Sequence, residues 1–434
     1  MVYGDREIVG EGLKTPAAPF HRAKLSNGTV VIVNENHRLP IVAMDCWVKT
    51  GTANEEETLN GISHFYEHMF FKGTKKHPVG ELDRLVKEAG GYNNAATSNE
   101  YTHYYVVLPG ELNEHAMDLL ADALYNGRFS DDDIAREKLV VKEEINRSED
   151  DPASKLYTLL FEKCFHGTPY AMPILGNKES LDRITAQSLE DYHGKFYVPE
   201  NVTVVISGDV DPDKAIEAVD KQFGRVKAMQ GGGWADIKAQ KLTEGIETLV
   251  QKDVKQVYLA MGFLTDGFIQ DRQAVVNLDV TAAVLGEGRS SRLHQELVET
   301  KKLAISIGAW NWDMRRSGVF WIDAILKPDM IEEAEKAIFH ELERFLDKGL
   351  NDWEMDKVKS MIKADHLYDL QSNASIAGLL GFYETDFGNA SLALSYLDLV
   401  EAVDAESIRG AFSKSYDPSK YVKTLIVPFG GEGE

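Results

Sequence analysis

The sequence predicts an α+β protein of two similar domains, each a mainly antiparallel sheet with helices packed on it. Three observations carry that expectation. At 434 residues the chain exceeds one ordinary domain, and its composition, 43% hydrophobic and 27% charged, is that of a globular protein. Strand-like and helix-like segments alternate on both sides of a break near residues 226–245, where Gly231-Gly232-Gly233 interrupts the pattern. A Tyr-x-Pro word also recurs: Tyr197-Val198-Pro199 leads into Val202 to Ser207, and Tyr416-Asp417-Pro418 leads into Val422 to Val427. The expected boundaries are 15–227 for the first domain, 228–245 for a Gly-rich linker and 246–434 for the second domain.

The elements follow in order. An Asn27-Gly28 turn precedes a strand at Thr29 to Val33, and a second strand is expected at Ile41 to Val48. Around residues 60–72, Ile62, Phe65 and Met69 recur at helical spacing and predict a helix with one buried stripe. Tyr101 to Leu108, rich in β-branched and aromatic residues and closed by Pro109-Gly110, reads as a strand. Ser130 followed by Asp131-Asp132-Asp133 is a helix start, with a cap and acidic residues in the first turn. That helix should run to about Arg147 and stop before Asp151-Pro152. Residues 201–207 form an apolar strand before a Gly208-Asp209 turn and a further helix.

Composition excludes several functions. A formal charge of -23 argues against nucleic-acid binding, which needs a basic footprint, and suits partners of basic character. The two cysteines, Cys46 and Cys164, make no C-x-x-C motif, so neither a disulfide scaffold nor a thiolate metal site is expected. No run of eighteen apolar residues occurs, and the first twenty residues lack the basic start and apolar block of a signal peptide. The expectation is a soluble protein of unknown compartment: cytoplasmic, or periplasmic if a leader was removed, with the mitochondrial matrix the weaker alternative.

The chemistry concentrates in His64-Phe65-Tyr66-Glu67-His68, which has the H-x-x-E-H spacing of an inverted zincin. Imidazoles four apart on a helix lie one turn apart on nearly one face and can hold one metal ion. Glu67 falls beside that metal, placed to take a proton from an activated water. A catalytic zinc usually has three protein ligands, so a carboxylate from another element is needed. The helix after Asp131 offers Glu137, Glu143 and Glu144. Glu137 and Glu144 are two turns apart and share a face, which makes Glu144 the economical ligand and Glu137 an acceptor for the second ring nitrogen of a liganding histidine. The alternative is a solvated Glu-rich face paired with Lys138 and Lys142.

These words resemble the pitrilysin/insulinase family of zinc metallopeptidases, most closely its short-chain bacterial and mitochondrial-processing-peptidase branch. In that family the glutamate ligand follows the H-x-x-E-H helix by about 76 residues, the separation of His68 and Glu144, and a further glutamate stands seven residues earlier, as Glu137 does. Gly61-Ile62-Ser63-His64, Met69-Phe70-Phe71-Lys72-Gly73-Thr74 and Gly90-Gly91-Tyr92-Asn93-Asn94-Ala95-Ala96-Thr97-Ser98 are close to the family's text. The resemblance implies one zinc ion held by His64, His68 and Glu144, with Glu67 as general base and acid. It also implies a substrate peptide that adds as a strand beside Asn94 and Ala95; the plain alternative is a turn before a core strand, a role they could fill at the same time. The activity implied is that of a zinc metalloendopeptidase acting on peptides or unfolded segments.

The second half departs from the family. Leu285 to Leu293 resembles the family's glycine-rich loop and lacks the Gly-Lys-Ser/Thr ending of a phosphate-binding loop. Many members carry, further on, an Arg and a Tyr seven residues apart that grip substrate; the matching residues here are Val298 and Ile305, which donate no hydrogen bond. The expectation is therefore the catalytic subunit of a heterodimer whose related, non-catalytic partner supplies that pair, with a homodimer the weaker form. Arg289, Arg292 or Lys301 could instead substitute. The competing readings are a non-catalytic scaffold subunit and a peptidase that trims basic presequences.

Overall fold

The computed structural model describes residues 6–13, 15–238 and 241–429. Residues 239–240 of the expected linker and 430–434 of the expected second domain lie outside the described residues. The chain opens with β1 (Arg6–Val9), β2 (Phe20–Lys24), β3 (Val30–Glu35), β4 (Ile41–Val48), α1 (Ile62–Phe70) and α2 (Glu81–Glu88). Next come β5 (Tyr92–Thr97), β6 (Thr102–Pro109), α3 (Asn113–Asn126), α4 (Asp131–Asp150) and α5 (Pro152–Cys164). Then follow α6 (Lys178–Arg183), α7 (Ala186–Phe196), β7 (Val202–Gly208) and α8 (Pro212–Phe223). After the glycine-rich break stand β8 (Ile246–Lys252), β9 (Val257–Asp266), α9 (Arg272–Gly286), β10 (Ala304–Asp313), β11 (Ser317–Leu326) and α10 (Ile331–Lys348). The chain closes with α11 (Asp352–Asp369), α12 (Asn373–Phe387), α13 (Tyr396–Glu401), α14 (Ala405–Ser415) and β12 (Val422–Pro428).

Each half of this order builds a mixed sheet with one parallel pair. The first has strand order β1-β2-β3-β7-β4-β6-β5, and the second β10-β11-β9-β12-β8. β3 runs parallel to β7 and β8 runs parallel to β12, while the remaining pairs are antiparallel. Placing β8, β9, β10, β11 and β12 on β3, β4, β5, β6 and β7 makes every pairing and every direction agree. The Tyr-x-Pro words precede the two equivalent strands, β7 and β12.

Two compact units result. The first comprises residues 1–145, 172–236 and 366–395; the second comprises 146–171, 237–365 and 396–434. The continuous boundaries expected from sequence are therefore crossed twice. α5 packs on β9 and β12 in the second unit, and α12 packs on β4 and β7 in the first. The physical reason is close contact between small and large residues. A Cβ at Gly381 of α12 would come within 2.2 Å of Trp47 on β4, so only glycine lets the helix lie on that ring. The α12 carboxylate Glu384 also takes two hydrogen bonds from the Arg22 guanidinium, at 2.7 and 3.1 Å.

Both cores are apolar. In the first unit α1 buries Ile62, Phe65 and Met69, the stripe expected from spacing, against Val42, Met44, Tyr104 and Val106 of the sheet. That packing fixes which face of α1 remains for chemistry. α4 runs three residues past Arg147, and Asp151 then caps α5 at the Ser154 amide with Pro152 in its first turn. Among the described residues no helix is long and apolar enough to cross a membrane.

Candidate metal centre

The site is built on the first turns of α1. Gly61 holds a left-handed conformation at φ 92°, and a Cβ there would meet Gly176 Cα and Leu175 O at 2.8 Å. The buried Glu55 carboxylate accepts the Gly61 and Ser63 amides at 2.7 and 2.8 Å and the Asn60 side-chain amide at 2.8 Å. These contacts satisfy helix-start donors that would otherwise lack partners and set the rotation of α1.

Within that frame His64, His68 and Glu144 converge, and among the described residues they are the only group of three such side chains that could share a metal ion. Glu144 Oε2 lies 3.7 Å from His64 Nε2 and 3.5 Å from His68 Nε2. Both distances exceed a hydrogen bond. Two zinc bonds of ~2.1 Å at a tetrahedral angle hold their donor atoms ~3.4 Å apart, which is close to what is seen. His64 is buried, and its Nδ1 makes no hydrogen bond. Two imidazoles and a carboxylate are also the donor set that a catalytic zinc takes. The residues fit the ion.

Glu137 stands one shell further out. Its Oε1 lies 2.8 Å from His68 Nδ1, and its Oε2 pairs with Lys72 Nζ at 2.6 Å. This fixes the His68 tautomer so that Nε2 faces Glu144. The lysines of α4 do not neutralise these glutamates: Lys138 and Lys142 reach the Asp182 carbonyl and carboxylate. The Glu-rich face is therefore turned inward at Glu137, not solvated throughout.

Electrostatics separates the two rings. Burial, reinforced by the neighbouring His68, pushes His64 down to about 4. Burial also works against a charged His68, but the Glu137 hydrogen bond and the charges of Glu137 and Glu144 outweigh it and hold His68 up at about 9. Burial opposes ionised Glu137 too, yet His68 and Lys72 together keep it below the usual carboxylate range. Glu67 is raised by burial, and the Thr97 hydroxyl, donating to Oε2 at 2.5 Å, offsets part of that rise.

β5 forms the rim. It pairs with β6 alone among the described strands, so its outer backbone edge is available for an added strand. The residues expected to contact peptide divide here. Asn94 is exposed and lines the open pocket beside Glu67 and His68, whereas Ala95 packs against the first core. Both lie on this edge strand, where the alternative expectation was a turn. Sequence reasoning passed over Glu55, Lys72 and Thr97 as functional residues; the last two stood inside the motif words, while Glu55 carried no spacing signal.

In the second unit Val298 is half-buried against the core and Ile305 is 47% exposed on β10. The basic residues that could have substituted are each ion-paired: Arg289 with Glu299, Arg292 with Glu354 and Lys301 with Glu296.

The sequence model described as insulinase (peptidase family M16) matches residues 30–178, and that described as peptidase M16 inactive domain matches residues 183–362. A Bacillus subtilis protein called uncharacterized zinc protease YmxG is 30% identical over 94% of this chain and 98% of its own. Zinc protease PqqE of Helicobacter pylori is 30% identical over 89% of this chain and 90% of its own. The crystal structure of a protease from Helicobacter pylori superimposes with a TM-score of 0.89 at 26% identity, covering 94% of this chain and 99% of that one. A Pseudomonas fluorescens structure described as a peptidase M16 inactive domain shares the fold at a TM-score of 0.87 and 20% identity.

Proposed function

The chain belongs to the insulinase family of M16 peptidases, and on that premise we propose that it is a zinc-dependent endopeptidase cleaving peptides or unfolded segments. The observation that carries this reading is the convergence of His64 and His68 of α1 with Glu144 of α4, with Glu67 beside the two histidines on α1 and an open strand edge next to them. His64, His68 and Glu144 would hold the ion. Zinc bound there supplies a Lewis acid that makes water acidic near neutral pH and polarises a carbonyl.

The chain's own groups do the rest. Glu67 accepts the proton of the attacking water and returns it to the leaving amine. Burial raises its pKa towards the working range of a general base, and Thr97 fixes one of its oxygens so that the other takes the proton. Glu137, held by Lys72, keeps His68 oriented. The β5 edge at Asn94 and Ala95 gives an extended peptide backbone partners, so the scissile bond is positioned without demanding one side-chain sequence.

Val298 and Ile305 support an assembly in which a related, non-catalytic chain supplies substrate-gripping Arg and Tyr side chains. The test is to load the purified chain with zinc and assay unstructured peptides alone and with a partner recovered from native extract. Metal at one equivalent, with hydrolysis lost in Glu67→Gln, is the expected result. A natural chain that binds no zinc would favour the scaffold reading, and full activity without a partner would remove the heterodimer.

A further inference from the structure

We propose that an apolar cavity between α2 and α3 is an effector site for a small uncharged molecule of one or two rings, whose binding holds α2 and, through Asp83, the edge strand at the metal centre. The proposal rests on the peptidase reading above for what is regulated, and adds a ligand to it. α2 and its C-cap carry Leu82, Leu85, Val86 and Ala89 at the spacing of one core-facing stripe. Val86 alone of the eight helical residues is buried, so the protein's own side chains cover that stripe incompletely. Against it lies a cavity of about 260 Å³, walled by Leu85, Val86 and Ala89, by Leu108 of β6, and by Ala116 and Leu119 of α3.

The lining decides what enters. These six side chains carry no polar atom, so a charged or hydrogen-bonding group would lose water there without gaining a partner. The remaining lining residue, Glu88, is paired with Arg84 at 2.6 Å, which leaves neither a free cation for an acid nor a free carboxylate for an amine. A dry apolar cavity of about 150 Å³ takes benzene, so this one suits one or two fused rings. Two features tie the cavity to the metal centre. Gly80 and Gly90 bracket α2, each at φ 77° with no atom within 4 Å of a Cβ position, so packing crowds the backbone at neither end. Asp83 of the same helix accepts the Asn93 side-chain amide of β5 at 2.7 Å, and both residues line the open pocket beside Glu67 and His68. A ligand against Val86 adds contacts to α2 and thereby favours the position in which Asp83 meets Asn93.

The test uses indole as the probe on the full, zinc-loaded chain, with calorimetric titration and hydrogen exchange read by mass spectrometry. Indole should bind at about 0.1–1 mM, the strength open to an apolar ligand of about nine atoms. Benzoate, similar in size but charged, should bind at least about tenfold more weakly. Bound indole should slow exchange over residues 81–93 by about threefold or more, and lower KM for an unstructured peptide by a similar factor. Ala116→Leu and Ala89→Leu add carbons to the cavity from its two sides, and each should weaken indole about tenfold. Melting curves show that a variant folds, and either folded variant suffices. Equal affinity for indole and benzoate, unchanged indole affinity in a folded variant, or binding that leaves exchange over residues 81–93 unaltered would each overturn the proposal. Hydrolysis separates the two readings. Zinc-dependent cleavage without indole binding removes the effector site alone, whereas cavity-dependent protection without any cleavage removes the peptidase and leaves the site.

Discussion

Glu55 touches neither the metal group nor the pocket, yet it should govern both, because it holds the start of α1. Glu55→Ala removes the acceptor of two amides, Gly61 and Ser63, at 2.7 and 2.8 Å. Losing a helix cap costs about 1 kcal/mol, and a buried donor left without a partner costs about 1–3 kcal/mol. Water entering the vacated space recovers part of this, so a net loss of about 3 kcal/mol is expected for the first unit. For a unit of this size that lowers the melting temperature by roughly 6–12 °C. Burial raises the Glu55 pKa and its hydrogen bonds only partly offset that, so the ionised side chain is itself under strain from desolvation. The neutral isostere Glu55→Gln should therefore lose less than the alanine, about 1 kcal/mol. Thermal unfolding followed by circular dichroism, with and without zinc, reads both variants. An alanine variant melting within about 1 °C of the natural protein would refute the idea that this carboxylate anchors the helix.

The remaining predictions concern metal, base, pH and thiols. Glu137→Ala should weaken zinc binding by about 10–100-fold in a competition titration, because His68 loses its orienting partner. Glu67→Gln should lower kcat by about 10²–10⁴-fold while zinc content by mass spectrometry stays at one equivalent. In the second unit burial and the Asp313 charge push Asp279 up to about 7, and burial pushes Asp313 up to about 6. A carboxyl whose folded pKa lies above its unfolded value of 3.8 stabilises fully below that value and loses the contribution as pH rises through its folded pKa. Urea unfolding should thus show the second unit weaker at pH 8 than at pH 5, and Asp279→Asn should flatten the difference; an unchanged slope would count against the raised Asp279 carboxyl. Cys46 and Cys164 are fully buried with raised pKa values, so thiol reagents should leave the native protein unmodified and active.

The sequence-legible parts are those that local chemistry decides. β4 spans Ile41–Val48, as its apolar run predicts, and α1 buries the stripe read from spacing. The convergence of His64, His68 and Glu144 follows from one helix register plus Glu144 on α4. β5 is harder to read because Asn93-Asn94-Ala95-Ala96 has little intrinsic strand preference, and its pairing with β6 comes from tertiary context. The crossing of α5 and α12 between units leaves no periodic signal either. It depends on Gly381 lying over Trp47, and on Gly262 of β9, where a Cβ would stand 2.9 Å from Leu160 of α5.

The equivalence of the two sheets separates what the fold requires from what the chemistry requires. α1 and α9 occupy the same place in the two plans, each following the strand that pairs with the parallel element. α1 is buried at every position except Glu67 and His68, which stay partly exposed beside a pocket. α9 buries an unbroken run from Val275 to Leu278 and again from Val280 to Leu285, leaving no flank from which two imidazoles could face a shared ion. The corresponding edge strands differ in the same sense: β5 offers Asn94, while β10 exposes Ile305, Trp310 and Trp312. A second site is therefore not one substitution away. Introducing two histidines into α9 at four-residue spacing would bury polar rings in an apolar core without a carboxylate from α10 or α11 shown to reach them, and should cost stability without creating a zinc equivalent. Zinc content of such a variant above one equivalent would show that topology alone, without the polar flank and the outer glutamate, is enough to build the centre.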